Sequence, residues 1–199
     1  AAVLGGLVRA VAQGVRAVGD RRRLLVAPLV GVAIALTAVA FDAVTGKGAD
    51  QVLFSGEVQL APLVEDAGSW AAPALALLVV VKAAAYGLSL SSFRGGPVFP
   101  ALFIGAAAGL AIADLPGLST TPAVAMAAGA MCVAMLRLPV TSVILAAAML
   151  TTSSALHVLP LVIVAVVVSH VVTDRLPAFM RLPAGHVGEP SPGAGNAPA

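Results

Sequence analysis

The residues best suited to chemistry are Arg94-Gly95-Gly96-Pro97-Val98-Phe99-Pro100, which lead into an apolar run over 101–113. Two glycines and two prolines interrupt a greasy sequence at the point where a helix should begin. A helix start leaves backbone N–H groups without partners and carries the positive end of the helix dipole. Enclosed by protein within a membrane, such a start is suited to hold an anion. Gly95, Gly96, Val98 and Phe99 are the candidate anion-binding residues, the alternative being an ordinary turn before a membrane helix. Arg94 either raises the local anion concentration or anchors topology. Ser91 and Ser92 either donate hydroxyls to an ion or cap the short helix. Lys82 is ionisable within an apolar span, which makes it a functional candidate: it lies on the ion path or binds carbonyls at a helix end, unless it snorkels.

The remaining polar residues point elsewhere. Cys132 is the only cysteine, so an internal disulfide and a cysteine zinc site are excluded, and it reads as core packing. His157 and His170 are not at metal-ligand spacing, and no metal or cofactor is expected. Asp42 and Glu57 fall in a polar loop and read as solvent-exposed. Arg21, Arg22 and Arg23 form a basic cluster without interleaved aromatics, which marks a cytoplasmic anchor rather than a nucleic-acid site. Gly105 and Gly109 make a small-xxx-small pair suited to close helix packing.

The elements that must position these groups follow from composition. The chain has 199 residues, 60% hydrophobic and 10% charged, with a net charge of +2, and its mean hydropathy is +1.04. Soluble domains carry roughly 25% charged residues. So little charge cannot cover a water-facing surface, and an all-α integral membrane protein is expected. Residues 1–20 read as an amphipathic helix. Residues 24–41 and 71–90 read as spans. Between them, 42–68 reads as a polar, acidic loop with a short helical candidate near 49–54. Residues 89–97 read as a loop and 98–113 as a short helix. Thr121-Pro122 reads as the cap of a helix ending at Leu136. A break at 137–139 precedes a helix over 139–150, which is only about 18 Å long and too short to cross alone. A polar break at 151–154 is followed by a β-branched helix over 156–172, because an open strand edge cannot face lipid. Residues 1–182 form the membrane domain, and 183–199 read as a disordered tail. Arginines at 21–23, 175 and 181 place those ends inside and the 42–68 loop outside. Short, Pro/Gly-interrupted segments imply tilted, re-entrant and broken helices.

The stretch 95–100 resembles the Gly-Gly-x-Phe-x-Pro signature of the CLC family of chloride channels and chloride/proton exchangers. Residues 125–130, followed by Arg137-Leu138-Pro139-Val140-Thr141-Ser142-Val143-Ile144-Leu145, resemble a later helix pair of that family, and the order and spacing match. The resemblance covers 1–175 as the second half of an inverted-repeat architecture. It implies a missing N-terminal half that carries the gating glutamate. It also implies a homodimer formed through 139–150 and 156–172. Aligned on the glycines and the final proline, Val98 stands where the family has phenylalanine. Pro97 takes a position whose backbone N–H would face chloride, and proline has none. The family's late tyrosine has no counterpart, since the only tyrosine is Tyr86.

The expected function is chloride or similar anion transport across a bilayer, completed by the missing half, in an integral membrane protein of a bacterial-type plasma membrane. Oriented N–H dipoles would replace the ion's hydration shell. Alternatives are half of an unrelated broken-helix secondary transporter, or a non-transporting membrane subunit. An enzyme is not expected. The sequence has no H-E-x-x-H pattern, no G-x-S-x-G elbow and no pair of membrane-embedded aspartates.

Overall fold

Apolar runs form helices here, some with an internal proline such as Pro28 or Pro160, because a bilayer offers no partner for an open backbone. The computed structural model describes residues 1–6, 8, 23–92, 96–113, 118–150 and 152–175, with side chains at all of these except 23–26, 91–92 and 152–156. Seven α-helices follow in order: α1 Arg23–Thr45, α2 Glu57–Glu65, α3 Ala72–Ser92, α4 Val98–Ile112, α5 Thr120–Leu136, α6 Pro139–Ala148 and α7 Thr152–Arg175. Residues 2–6 are also helical, and no strand occurs among the described residues. Three helices are long and apolar enough to cross a membrane, over Ala27–Thr45, Ala72–Leu90 and His157–Arg175. At 1.5 Å per residue, α4, α5 and α6 reach only about 22, 26 and 15 Å, short of a ~30 Å hydrocarbon core. The protein is thus an all-helical, polytopic membrane protein that mixes full spans with shorter apolar helices. α4 ends at Ile112 with Ala113 as its C-cap; the tail at 183–199, residues 114–117 and most of the N-terminal segment read as amphipathic lie outside the described residues.

The structure corrects four sequence expectations. The 42–68 segment is not simply a polar loop. It contains 3-10 turns at Ala49–Gln51 and Ala67–Ser69, and the nine-residue helix α2. Pro62 inside α2 obscured it. Its signals were Gly56, which caps it at φ 85, Glu57 in its first turn, and Leu60, Leu63 and Val64 at helical spacing. Second, the loop expected over 89–97 begins later, because α3 continues through Ser92. Third, α5 is capped by Ser119 rather than Thr121, which leaves Pro122 in the first turn, where its missing N–H costs nothing. Fourth, α7 starts at Thr152, within the expected polar break.

Two antiparallel helices frame the site. The end of α1 lies beside the start of α3, where Lys47 Nζ donates to the Ser69 carbonyl at 2.8 Å. The same ammonium sits 4.9 Å from the Trp70 ring centroid. The most extensive helix pair is α4 on α5. Gly105 and Gly109 make it possible: a Cβ at either would lie 2.6 Å from backbone atoms of α5. The expected small-residue packing role therefore holds. Cys132 is fully buried in the same core.

A second junction joins α5, α6 and α7. Gly129 faces Val166, Ala146 and Val162. The buried Ser169 hydroxyl donates to the Ala130 carbonyl at 2.7 Å, crossing from α7 to α5. In an apolar medium such a bond has no water to compete with it. Arg137 ends α5 in the left-handed region at φ 58, and Pro139 opens α6 at a first-turn position. Arg137 also reaches Asp174 at 3.4 Å, and His170 meets the same carboxylate at 3.5 Å. His157 is exposed and distant in sequence from that cluster.

Candidate anion site at the start of α4

The first turn of α4 has an unusual donor inventory. Pro97 precedes the helix, with φ −82 and ψ −8, and no side chain caps it. Pro97 and Pro100 lack N–H groups. The Ala101 N–H is already used, donating to the Pro97 carbonyl at 3.2 Å. That leaves Val98 and Phe99 as the first-turn N–H groups without an acceptor among the described residues. By helix geometry both point out of the N-terminal end, along the positive end of the dipole.

Gly96 stands at this end with open space around it. A Cβ there would meet none of the described residues within 4 Å, and its φ is outside the left-handed region. The glycine is thus required neither by a close approach nor by backbone conformation. Gly96 and Pro100, which bracket the two N–H groups, line a cavity of about 270 Å³ together with Lys82, Tyr86, Ser89, Ile34 and residues 52–55.

Lys82 is 2% exposed. It lies ten residues into α3, about 15 Å along the helix axis and so well inside the span. Its ammonium donates to the carbonyls of Gln51 at 2.7 Å and Leu53 at 2.8 Å, with Phe54 at 3.3 Å. The Phe103 ring centroid is 4.6 Å away. The irregular 49–54 segment therefore folds inward against α3 and α4. Non-helical backbone at that depth needs its polar groups satisfied from within the protein, and Lys82 supplies the donors. It also leaves a positive charge beside the cavity. Asp50, exposed on the preceding 3-10 turn, acts on it electrostatically. Among the described residues, no carboxylate lines the cavity itself.

The family-model comparison matches residues 1–174 to "Voltage gated chloride channel". The chain belongs to the voltage-gated chloride channel family. No curated protein and no solved structure gives a significant match. Family membership brings anion substrates and a membrane setting with it, consistent with the helices long enough to span.

In this member of the chloride channel family, the structure gathers Gly96 and Lys82 around one cavity, with Val98 and Phe99 in the turn bracketed by two of its lining residues. Val98 is half-buried, and Phe99 turns its side chain outward at 41% exposure. Arg94 and Gly95 lie outside the described residues, and of Ser91 only the helical backbone is described. Asp42 accepts from the Gly48 N–H at 2.9 Å and is exposed, as is Glu57. No group of three or more metal-ligating side chains occurs among the described residues.

Sequence reasoning missed Tyr86 and the inward-folded 49–54 segment. The signal for Tyr86 was its place four residues after Lys82, on the same helix face. For 49–54 it was Lys82 itself, since a buried ammonium needs acceptors from outside its own helix. Lys82→Met should remove three hydrogen bonds and leave carbonyls unsatisfied, destabilising the fold by about 3 kcal/mol. Thermal unfolding in detergent measures this, and an unchanged midpoint would remove Lys82 as the clamp on 49–54.

Proposed function

We propose that this chain forms the second half of a chloride-channel-type transport unit. In this reading an anion is held by the main-chain N–H groups of Val98 and Phe99, with Gly95 and Gly96 giving access. A preceding half completes the pathway. One observation supports the reading: the first turn of α4 has two N–H groups without an acceptor among the described residues, bracketed by residues of a cavity beside a buried ammonium. A dehydrated anion needs donors already aimed at it, and donors already in place cost little reorganisation. The Lys82 charge favours the same sign of ligand while its own donors are occupied. Arg94 and Ser91 belong to the approach path.

The test is chloride efflux from liposomes containing the full-length protein, compared with liposomes containing this chain alone. Halide efflux from the first and none from the second is expected. Sodium- or proton-coupled flux of an organic solute without halide flux would overturn the proposal. The proposal includes a homodimer through 139–150 and 156–172. It is supported by Val140, Ile144, Leu161, Val164 and Val168, whose apolar side chains face outward at 47–73% exposure. A single copy per nanodisc would remove the dimer.

A further inference from the structure

We propose that residues 49–55 form a strap with two positions, held in the present one by Lys82, and that lifting the strap opens the cavity beside α4. The inference concerns access to the cavity and does not depend on what the cavity binds. Gly48 and Gly56 bracket the segment with φ 83 and 85, left-handed conformations that glycine adopts without steric cost. Between them the chain folds as a unit. The N–H of Gln51 donates to the Gly48 carbonyl, and those of Val52 and Leu53 donate to the Ala49 carbonyl. These bonds stay within the turn and survive its movement. The hydrogen bonds that tie it to α3 among the described residues come from one side chain, the Lys82 ammonium, which holds the carbonyls of Gln51, Leu53 and Phe54.

The held position carries two local costs. Phe54 sits in the left-handed region at φ 56, where a Cβ crowds the following carbonyl. Its ring is 77% exposed, so burial of the side chain does not offset that strain. The Gln51 side-chain oxygen is buried and has no hydrogen-bond partner among the described residues. Such an atom has lost water without gaining a bond. Strain of this kind persists only where the surroundings enforce it, and the enforcing group here is a single ammonium. One clamp set against two costs is the arrangement of a two-position element, with glycines at both ends to absorb the backbone rotation.

The strap is also a wall. Residues 52–55 line one side of the cavity, while Ala85 and Ser89 on α3 and Gly96 and Pro100 at α4 line others. Ser89 lies seven residues beyond Lys82, about 10 Å further along the α3 axis. The strap therefore closes the cavity on the side where α3 begins, and lifting it admits solvent from that side.

The experiment compares Phe54→Gly with Phe54→Ala in the full-length protein. Both remove the exposed ring, but alanine keeps the left-handed strain and glycine removes it. Each protein also carries Ala85→Cys, which places a thiol on the cavity wall at a buried position. Labelling by a small water-soluble methanethiosulfonate is followed site by site by mass spectrometry. The thiol at position 85 should react about fivefold more slowly in the glycine protein, because the strap is held more firmly. Cys132, fully buried in the core, reports global unfolding in the same samples. Hydrogen exchange of the 51–55 amides, in Phe54 variants without the added cysteine, should slow by the same factor. Equal rates in the glycine and alanine proteins would overturn the proposal. So would labelling at 85 no faster than at Cys132, since the strap would then lift only when the protein unfolds. Neither readout uses halide flux, so the anion reading can fail while the strap stands.

Discussion

Gly96→Leu should abolish halide flux while leaving the fold intact. A Cβ at this position meets no atom of the described residues within 4 Å, and the backbone is not in the left-handed region. The leucine therefore costs little in stability. It fills space that is a wall of the cavity, beside the two N–H groups of α4 that have no acceptor among the described residues. Efflux should fall to the level of empty liposomes, with the melting temperature within about a degree or two of wild type, as for surface substitutions. Gly96→Ala should retain partial flux, because a methyl group occupies less of the passage. Wild-type conductance and halide selectivity in Gly96→Leu would sink the proposed site, since no folding defect could be invoked to explain the result.

Gly105→Val is expected to do the opposite, destroying the fold rather than the passage. Even the first carbon of a side chain would lie 2.6 Å from Ala128 Cα and 2.7 Å from the Ala127 carbonyl oxygen. Those are backbone atoms of a packed helix and cannot swing aside. The α4–α5 pair must separate, opening the largest helix contact in the protein. Overpacking a core typically costs about 1–3 kcal/mol, and a clash with backbone in the central pair belongs at or above the top of that range. The expected outcome is loss of the monodisperse peak in detergent, with Gly109→Val behaving alike. A well-folded Gly105→Val protein would mean that α4 and α5 do not approach this closely.

The contrast between Gly96 and Gly105 separates two uses of one residue type. At 105 and 109 glycine serves contact between helices. At 96 no steric or conformational demand arises among the described residues, which makes the open space itself the feature to explain. The proposed access route beside the Val98 and Phe99 N–H groups would account for it.

Much of the fold was legible in the residues. Long apolar runs become the helices α1, α3 and α7, because a chain so poor in charge must satisfy its backbone internally. The prolines and glycines at 95–100 and 137–139 mark helix ends that the structure contains. The paired glycines at 105 and 109 announced a close helix contact. Boundaries were less legible where polar residues continue a helix, as at Ser89–Ser92 and Thr152, since local polarity resembles a break. The α2 helix was hidden by Pro62 and by the acidic character of its surroundings.

What the sequence by itself determined was class: an all-helical membrane protein of the chloride channel family, with a helix start at Val98 stripped of competing donors by its two prolines. Those properties are local, following from side-chain hydrophobicity and from the missing N–H of proline. The tertiary structure alone decided that Lys82 clamps the carbonyls of 51–54, that Gly96 and Pro100 share a cavity with Tyr86, and that the tyrosine hydroxyl is left without a partner among the described residues. These are relations between segments separated by as many as 31 residues along the chain. Helix periodicity contains no information about which distant backbone a buried ammonium will meet.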